Sequence, residues 1–353
     1  LTKPLIKKDG KFVEATWDEA YDLIAQKFKS YKPDEFAALA SARVSNEENY
    51  LMMKFARGVM KSRHVDHCAR LCHASTVAGL AASFGSGAMT NSIGDIAESK
   101  CVFVLGSNTL EQHPLIGRKI VQAKKNGAKV IVADPRYTPT ARLADLYMPF
   151  VSGSDVALLN GMMQEIIRNG WEDKEFIAKR TKDYEKLKEV VMKETYSLEN
   201  VSKISGIPVE QLKQAAEWFG TNKPGAILYS MGITQHTVGV DNVRSVANIQ
   251  MLTGNLGKPG SGVNALRGQN NVQGACDMGA LPVVFTGYQK VIDPVAYKKF
   301  ADAWGFPGGI CEPKNGYEVT VMMDVLTDNP GELKCMYIMG ENPMLSDPDL
   351  NHV

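Results

Sequence analysis

Apolar positions in the first part of the chain follow helical and strand spacing in turn. Thr16 with Glu19 makes a capping box that opens an amphipathic helix, and Ser45 with Glu48 repeats the arrangement. Between the two, residues 36–42 form a short apolar run that is typical of a buried strand. The order helix, strand, helix predicts an α/β fold rather than a helical bundle.

The middle of the chain continues this alternation. Residues 100–106 and 129–133 are apolar runs, separated by a helical pattern over 114–125 that ends at Asn126-Gly127. This order predicts a βαβ unit with parallel strands. Further helices are predicted at 156–168, 184–193, 209–219 and 241–253, and a further strand at 226–231.

Beyond Gly254 the pattern changes. The residues as far as Pro282 are rich in glycine and predict little helix, whereas 319–326 and 334–339 predict a last helix and strand. A long glycine-rich loop inside a compact domain usually carries function. We therefore expect part of a binding or catalytic site in this loop.

Composition restricts the class of function. The 353 residues are 44% hydrophobic and 22% charged, with a formal net charge of +1, so neither nucleic acid nor an anionic membrane is an expected partner. The chain lacks an apolar run of the roughly 18 residues that a membrane span needs. The six cysteines are scattered and no secretory signal precedes them, so reduced thiols and a cytoplasmic location are expected.

Both ends indicate a piece of a longer protein. Leu1 is not an initiator methionine, and no signal peptide follows it. Residues 344–353 read as the first turn of a helix and carry no helix stop signal. We therefore expect further chain on either side.

Three histidines, two cysteines and an aspartate lie within residues 64–73. Such density indicates a metal site, and structural zinc is one alternative because histidine and cysteine are its usual ligands. However, the two-residue spacing of paired zinc cysteines is missing, and there is no distant second pair. A second alternative is that Cys68 and Cys72 are small buried residues one helical turn apart.

Polar segments follow both apolar runs of the βαβ unit, at Gly106-Ser107-Asn108 and Asp134-Pro135-Arg136. Backbone amides at such strand ends bind phosphate, and a carboxylate there accepts from ribose hydroxyls or a purine. These segments predict a nucleotide-like ligand at the switch point of a doubly wound sheet. Ordinary turn chemistry is the alternative. The dinucleotide fingerprint fails, because Gly85-Ser86-Gly87 precedes the strand.

Residues 267–282 are dominated by arginine, amides and glycines. Glycine lets the backbone approach a ligand closely, and amides orient a ligand by hydrogen bonds. Arg267 offers a planar fork to a carboxylate. This composition predicts a binding loop, and a solvated loop without a ligand is the alternative.

The combination resembles the catalytic subunit of molybdenum- or tungsten-dependent formate dehydrogenases, in the dimethyl sulfoxide reductase superfamily of bis-molybdopterin guanine dinucleotide enzymes. The resemblance covers nearly the whole chain. It is carried, in order, by HVDHCARLCHAS, GAMTNSIGDI, VLGSNTLEQHP, VADPR, SGSD, MGITQH, MLTGNLGKPGSGVNALRGQNNVQGACDMGALP and IMGENP. It implies two interleaved α/β domains with mostly parallel, doubly wound sheets.

The resemblance also implies a formate dehydrogenase reaction, with formate and carbon dioxide as the reacting pair. Cys72 would bind the metal and His73 would be the adjacent acid or base. Arg267 would hold the formate carboxylate and Gln269 would line the pocket. Cys72 would need no local base, because a highly charged metal deprotonates a thiol directly.

Further residues are implied to lie along the two pterin dinucleotides. They are Gly106, Ser107, Asn108, Asp134, Arg136, Gly153, Asp155, Met231, Gly232, Gln235, Gly340 and Asn342. Cys68 would also touch a pterin. The residues in GSN, DPR and GSD agree with the phosphate and purine interpretation above, whereas Gln235, Gly340 and Asn342 depend on the resemblance alone.

The family's domain plan is interleaved. One α/β domain would contain 1–67 and 268–353, the second would contain 68–267, and the cofactor would lie between them. The family's N-terminal segment that ligates a [4Fe-4S] cluster and its C-terminal domain that covers the cofactor have no counterpart in this sequence. We therefore expect this chain alone to bind cofactor weakly or not at all and to be inactive.

Two alternatives remain at this stage. A nitrate reductase of the same superfamily shares the dinucleotide motifs, and Arg267 would also suit nitrate, although the histidine after Cys72 favours formate. A cofactor-free scaffold, as in the large subunit of NADH dehydrogenase, would have no use for Cys72, His73 and Arg267 together. The sequence does not decide whether the metal is molybdenum or tungsten, in which direction the reaction runs or which electron acceptor is used. Ferredoxin, a deazaflavin, NAD through a partner subunit and a hydrogenase are all compatible acceptors.

Overall fold

The computed structural model describes residues 2–353, and the chain divides into two compact units. The first contains Leu1–Leu71 and Gln269–Val353, and the second contains Cys72–Gly268. The domain limits implied by the resemblance stay a prediction. Within residues 2–353, every helix is too short or too polar to span a bilayer.

The strands and helices alternate along most of the chain. The strands are β1 Leu5–Lys8, β2 Lys11–Glu14, β3 Phe36–Ala40, β4 His64–His67, β5 Cys101–Leu105, β6 Lys129–Ala133, β7 Leu146–Met148, β8 Gly225–Tyr229, β9 Gly262–Ala265, β10 Val284–Phe285, β11 Gln289–Lys290 and β12 Cys335–Ile338. The α-helices are α1 Trp17–Ser30, α2 Asn46–Lys54, α3 Ala74–Phe84, α4 Thr109–Gln112, α5 Pro114–Lys125, α6 Pro139–Leu143, α7 Asp155–Arg168, α8 Lys174–Arg180, α9 Tyr184–Val191, α10 Leu198–Ser205, α11 Val209–Thr221, α12 Met231–Thr234, α13 Gly239–Leu252, α14 Val272–Asp277, α15 Pro294–Trp304, α16 Val319–Asp328 and α17 Pro343–Ser346.

The second unit is built on a five-stranded sheet of order β7-β6-β5-β8-β9, in which all neighbouring strands are parallel. After β5 the chain adds β6 and β7 on one side, and it then returns to add β8 and β9 on the other. This reversal creates a switch point at the carboxyl ends of β5 and β8. Doubly wound sheets bind their ligands at such a point.

Side chains of β5 alternate between two apolar layers. Phe103 belongs to one apolar cluster with Leu158 of α7 and Phe219 of α11, whereas Val102 belongs to another with Ile120 of α5. Helices therefore cover both faces of the sheet, which explains why its central strands are continuous apolar runs. The predicted α/β class with mostly parallel sheets is confirmed.

The first unit contains a three-stranded parallel sheet of order β12-β3-β4 and two antiparallel hairpins, β1-β2 and β10-β11. Strand β4 is buried along its whole length although it is polar. His64 Nδ1 accepts the Tyr317 N–H at 3.0 Å, and Asp66 Oδ2 accepts the Val319 N–H at 3.0 Å. These bonds give each of the two buried side chains a backbone partner, which lowers the cost of placing β4 in the interior.

Most predicted elements are confirmed. Both capping boxes form, and α5 and β6 have the predicted limits. The strand predicted at 226–231 is too long, because α12 begins at Met231. The segment after Gly254 is also more regular than predicted, since it contains β9 and α14. Pairing with β8 stabilises β9 despite its Gly262 and Asn264, which are poor strand formers.

Candidate functional site

A cavity of about 350 Å³ lies in the second unit at the carboxyl ends of β5, β6 and β8. Its lining residues are Gly106, Ser107, Asn108, Gln112, His113, Asp134, Pro135, Arg136, Phe150, Ser152, Ser230, Met231, Gly232, His236 and Gly268. They include the GSN and DPR segments and the Met231-Gly232 pair named from the sequence. The volume suits a small molecule or part of a larger cofactor.

Gly106 and Gly232 bring the ends of β5 and β8 together at this cavity. Gly106 has φ +56°, and its carbonyl accepts the Gly232 N–H at 3.1 Å. A Cβ on Gly106 would lie 2.8 Å from the Gly232 carbonyl carbon, and one on Gly232 would lie 2.6 Å from the Gly106 Cα. The close approach therefore requires glycine at both positions.

The polar groups that follow β5 and β6 are held by local bonds. Asp134 is 5% exposed, and its Oδ1 accepts the Arg136 N–H at 2.8 Å. Burial raises the pKa of the Asp134 carboxyl, and the bond and charge of Arg136 oppose that shift. Asn108 Oδ1 accepts from the Thr140 hydroxyl at 3.1 Å, and the Ser107 and Thr109 hydroxyls lie 2.9 Å apart. The carboxylate and amide thus have fixed positions beside the cavity.

Asp155 is a buried carboxylate at the start of α7. It is fully buried, and neither carboxylate oxygen has a hydrogen-bond partner of good geometry within residues 2–353. Burial raises its pKa, and the charge of His236 and the backbone N–H groups of Asp155 and Gly153 oppose this effect. Burial of a carboxylate is costly, so a ligand that supplies further N–H or O–H groups would stabilise it. Gly153 lines a different cavity, of about 1200 Å³, and Gln235 ends α12.

Cys72 lies between the 3₁₀ helix Cys68–Leu71 and the start of α3. Its side chain is partly exposed, and its Sγ lies 3.4 Å from the Sδ of Met231. Because Met231 lines the cavity, the thiol is near the switch point of the sheet. Among residues 2–353, no three His, Cys, Asp or Glu side chains converge on a common metal position.

His73 is buried, and both of its ring nitrogens have partners within the second unit. Nε2 lies 2.9 Å from the Leu266 carbonyl oxygen, and Nδ1 lies 2.7 Å from Oγ1 of Thr76, which also accepts from the Tyr229 hydroxyl at 3.1 Å. A carbonyl can only accept, so Nε2 carries the hydrogen and Nδ1 accepts from Thr76. Burial lowers the pKa of His73 to about 4, and the charge of Arg267 adds to this effect. The ring is therefore neutral near pH 7.

Arg267 follows β9 and precedes Gly268, which lines the cavity. Its carbonyl oxygen lies 2.7 Å from Nε2 of His113. The Arg267 Nη1 is buried and has no hydrogen-bond partner within residues 2–353. A guanidinium with a spare buried donor is suited to a small carboxylate. Cys72, His73 and Arg267 thus belong to one unit.

The remaining candidate residues lie in the first unit. The Cys68 thiol donates to Oε1 of Gln269 at 3.1 Å. Gly340 has φ +72° and its carbonyl accepts from the Ser41 hydroxyl at 3.0 Å, while Asn342 begins α17. Ser41 follows β3 and Gly340 follows β12, so these residues lie at the carboxyl edge of the three-stranded sheet.

Sequence reasoning missed several residues that line the cavity. His113 and His236 lie in motifs that carried the resemblance, and neither was assigned a role. The position of His113, directly before Pro114 and after a short helix, could have indicated its importance. Ser152 and Ser230 had no local signal, because their proximity depends on the order of the strands.

Comparisons with known proteins agree with this geometry. A family model described as molybdopterin oxidoreductase matches residues 1–353. The chain is 54% identical over 353 residues to the F420-dependent formate dehydrogenase 1 subunit alpha of Methanococcus maripaludis, covering all of this chain and 51% of that protein. It is 44% identical over 360 residues to formate dehydrogenase H of Escherichia coli, covering all of this chain and 50% of that protein. The chain thus spans about half the length of these relatives.

Among solved structures, acetylene hydratase from Pelobacter acetylenicus has a similar fold. It covers 98% of this chain and 49% of its own, with a TM-score of 0.71 and 22% sequence identity. This likeness concerns the fold. The family description supports a molybdopterin cofactor, and the residues present fit such a group: the glycine contact at the switch point, the buried Asp155 carboxylate and the spare donor of Arg267. The chain belongs to the molybdopterin oxidoreductase family.

Proposed function

We propose that the full-length protein interconverts formate and carbon dioxide at a molybdenum or tungsten bis-molybdopterin guanine dinucleotide centre. The observation that carries this proposal is the buried, unpaired Nη1 of Arg267, in the same unit as Cys72 and the cavity. Formate is a small carboxylate, and a guanidinium binds carboxylates through two parallel N–H donors. Relatives described as formate dehydrogenase subunits support the same substrate.

The cofactor contacts would come from the residues that the resemblance implies. In the second unit the contacts would come from Gly106, Ser107, Asn108, Asp134, Arg136, Gly153, Asp155, Met231, Gly232 and Gln235. In the first unit they would come from Cys68, Gly340 and Asn342. The Cys72 thiolate would bind the metal, which a highly charged ion favours by deprotonating the thiol.

Conversion of formate to carbon dioxide releases one proton and two electrons. When bound, the metal centre supplies the acceptor for the electron pair. Arg267 would orient the formate carboxylate, and Gln269 would line the pocket. His73 would hold the Leu266 carbonyl and so position Arg267. His73 would also act as an acid or base. For this role its ring would first have to give up one of its two hydrogen bonds.

Electron transfer would involve parts outside this chain. We propose a [4Fe-4S] cluster in the full-length protein and a partner that uses ferredoxin, a deazaflavin, NAD or a hydrogenase. A cytoplasmic location also stays a prediction.

Steady-state assays of the full-length protein test the proposal. Under anaerobic conditions, formate oxidation is measured with an oxidised viologen and nitrate reduction with a reduced viologen, on protein of known metal content. We expect formate oxidation. Nitrate reduction without formate oxidation would transfer the assignment to a nitrate reductase. Metal-loaded protein that is inactive on both would reject the proposed reaction and the nitrate alternative.

A further inference from the structure

His113 has a fixed backbone position between two helices. It ends α4 and begins α5, and Pro114 follows it. The His113 N–H donates to the Thr109 carbonyl at 2.9 Å, and its own carbonyl accepts the Gly117 N–H at 2.8 Å. The imidazole therefore extends from a backbone that is bonded on both sides.

The two ring nitrogens of His113 have different environments. Nε2 lies 2.7 Å from the Arg267 carbonyl oxygen, so Nε2 carries the hydrogen and donates it. Nδ1 of the neutral ring is then an acceptor, and it is buried without a hydrogen-bond partner within residues 2–353. Buried acceptors in folded proteins almost always have a donor. The missing donor indicates a ligand contact, since His113 lines the cavity beside Gly106 and Asp134.

The Arg267 carbonyl is the second of two consecutive carbonyls held by histidines. The first, that of Leu266, accepts from His73 Nε2 at 2.9 Å and from the Ser230 hydroxyl at 2.9 Å. The Leu266 N–H donates to the Tyr229 carbonyl at 2.8 Å, which extends the pairing of β8 and β9. His73 and His113 together fix the backbone from which the Arg267 side chain extends.

We propose that His113 is a positioning residue that links the filling of the cavity to the position of Arg267. Its Nε2–H holds the Arg267 carbonyl, and its Nδ1 accepts from an N–H or O–H group of the nucleotide or pterin that fills the cavity. The part that concerns formate rests on the proposed function. The part that concerns the cavity ligand depends only on retention of the cofactor.

A purely structural role for His113 would predict a different pattern of effects. If the imidazole only joins α4 to α5, its replacement lowers thermal stability and all activity parameters together. If it positions Arg267, the KM for formate changes more than kcat, because the bound carboxylate loses an oriented partner. If it contacts the cavity ligand, cofactor content changes independently of formate turnover.

Three substitutions in the full-length protein separate these roles. His113→Gln keeps an N–H donor at about the reach of Nε2, whereas His113→Asn keeps an amide near the position of Nδ1 but is too short to reach Arg267. His113→Phe keeps ring volume and removes both bonds. His352→Gln is the matched control, because His352 is in the first unit and contacts Asp324. The readouts are metal and pterin per chain, and kcat and KM for formate per bound metal.

We expect His113→Phe to lower metal and pterin content and to raise the KM for formate about tenfold, with a smaller change in kcat. His113→Gln should have the wild-type KM for formate but a low metal and pterin content. His113→Asn should have the raised KM but the wild-type metal and pterin content. Unchanged content and KM in all three variants would overturn the proposal, as would a uniform loss that follows thermal stability. Failure of the wild type to oxidise formate would refute the proposed function alone, since cofactor content would still test the contact at Nδ1.

Discussion

His73 donates its Nε2 hydrogen to the carbonyl oxygen of Leu266 at 2.9 Å, which joins the residue after Cys72 to the residue before Arg267. These positions are 193 residues apart in sequence. The bond connects the start of α3 to the end of β9 within the second unit. A change at His73 should therefore reach the proposed substrate arginine without replacing Cys72, the proposed metal ligand.

Replacement of His73 by phenylalanine tests this connection. The variant leaves Leu266 with only Ser230 as a donor and leaves Thr76 without its acceptor, so we expect a loss of about 1–3 kcal/mol in the free energy of unfolding. The KM for formate should rise, because Arg267 loses part of its support. Thermal unfolding and steady-state kinetics of the full-length protein check both effects, with His73→Gln as the conservative variant. Equal KM values in the wild type and the phenylalanine variant would contradict the account.

The same ring predicts a pH dependence of stability. Burial lowers the pKa of His64, His67 and His73 from the ordinary value of 6.5 to about 4 in each case. Between pH 6.5 and about 4, the unfolded chain therefore binds more protons than the folded chain. The contribution of these neutral histidines to the free energy of unfolding is present above pH 6.5 and is lost as pH falls toward 4. Asp66 acts in the opposite direction, because burial raises its pKa to about 6.

A comparison of variants isolates one histidine from these opposing effects. The difference in melting temperature between wild type and His73→Phe should shrink as pH is lowered from neutral toward the folded pKa of about 4. Melting curves over this range measure it. A difference that is constant with pH would mean that His73 titrates normally in the folded protein.

The contact between Gly106 and Gly232 predicts the effect of added side-chain volume at the cavity. Gly106→Ala places a Cβ 2.8 Å from the backbone of Gly232, whereas Gly127→Ala meets nothing within 4 Å. Both glycines have positive φ, so both variants carry a similar backbone cost of about 1 kcal/mol. Only Gly106→Ala should also lower metal and pterin content, measured by elemental analysis and by fluorescence of the released pterin. Equal content in the two variants would be inconsistent with a cofactor at this switch point.

Local patterns were enough to predict the elements that surround the switch point. The apolar runs of β5 and β6 and the helix stop after α5 are visible in short windows, because their burial depends on period and on turn residues. Polar strand β4 could not be predicted in this way. Its His64 and Asp66 each accept a hydrogen bond from a backbone N–H group 253 residues away, and no local pattern indicates such partners.

Local sequence patterns were also insufficient to predict the whole candidate site. The loop composition already indicated Arg267 as a carboxylate-binding residue. The metal-ligand role of Cys72 came through the resemblance to a family, and spacing alone would have left Cys72 as an ordinary buried cysteine. His113 was missed because its function depends on a bond to Arg267, 154 residues later in the chain. Sequence therefore predicts which residues are chemically capable, and tertiary structure decides which of them act together.

The most direct test of the account is formate oxidation per bound metal in full-length wild type, Cys72→Ser and the matched control Cys335→Ser. Cys335 lies on β12 in the first unit and has no proposed role. We predict that Cys72→Ser stays folded and loses about a hundredfold or more of the rate, while Cys335→Ser keeps it. A Cys72→Ser protein that oxidises formate at the wild-type rate per metal would contradict the assignment of Cys72 as the metal ligand and, with it, the proposed reaction centre.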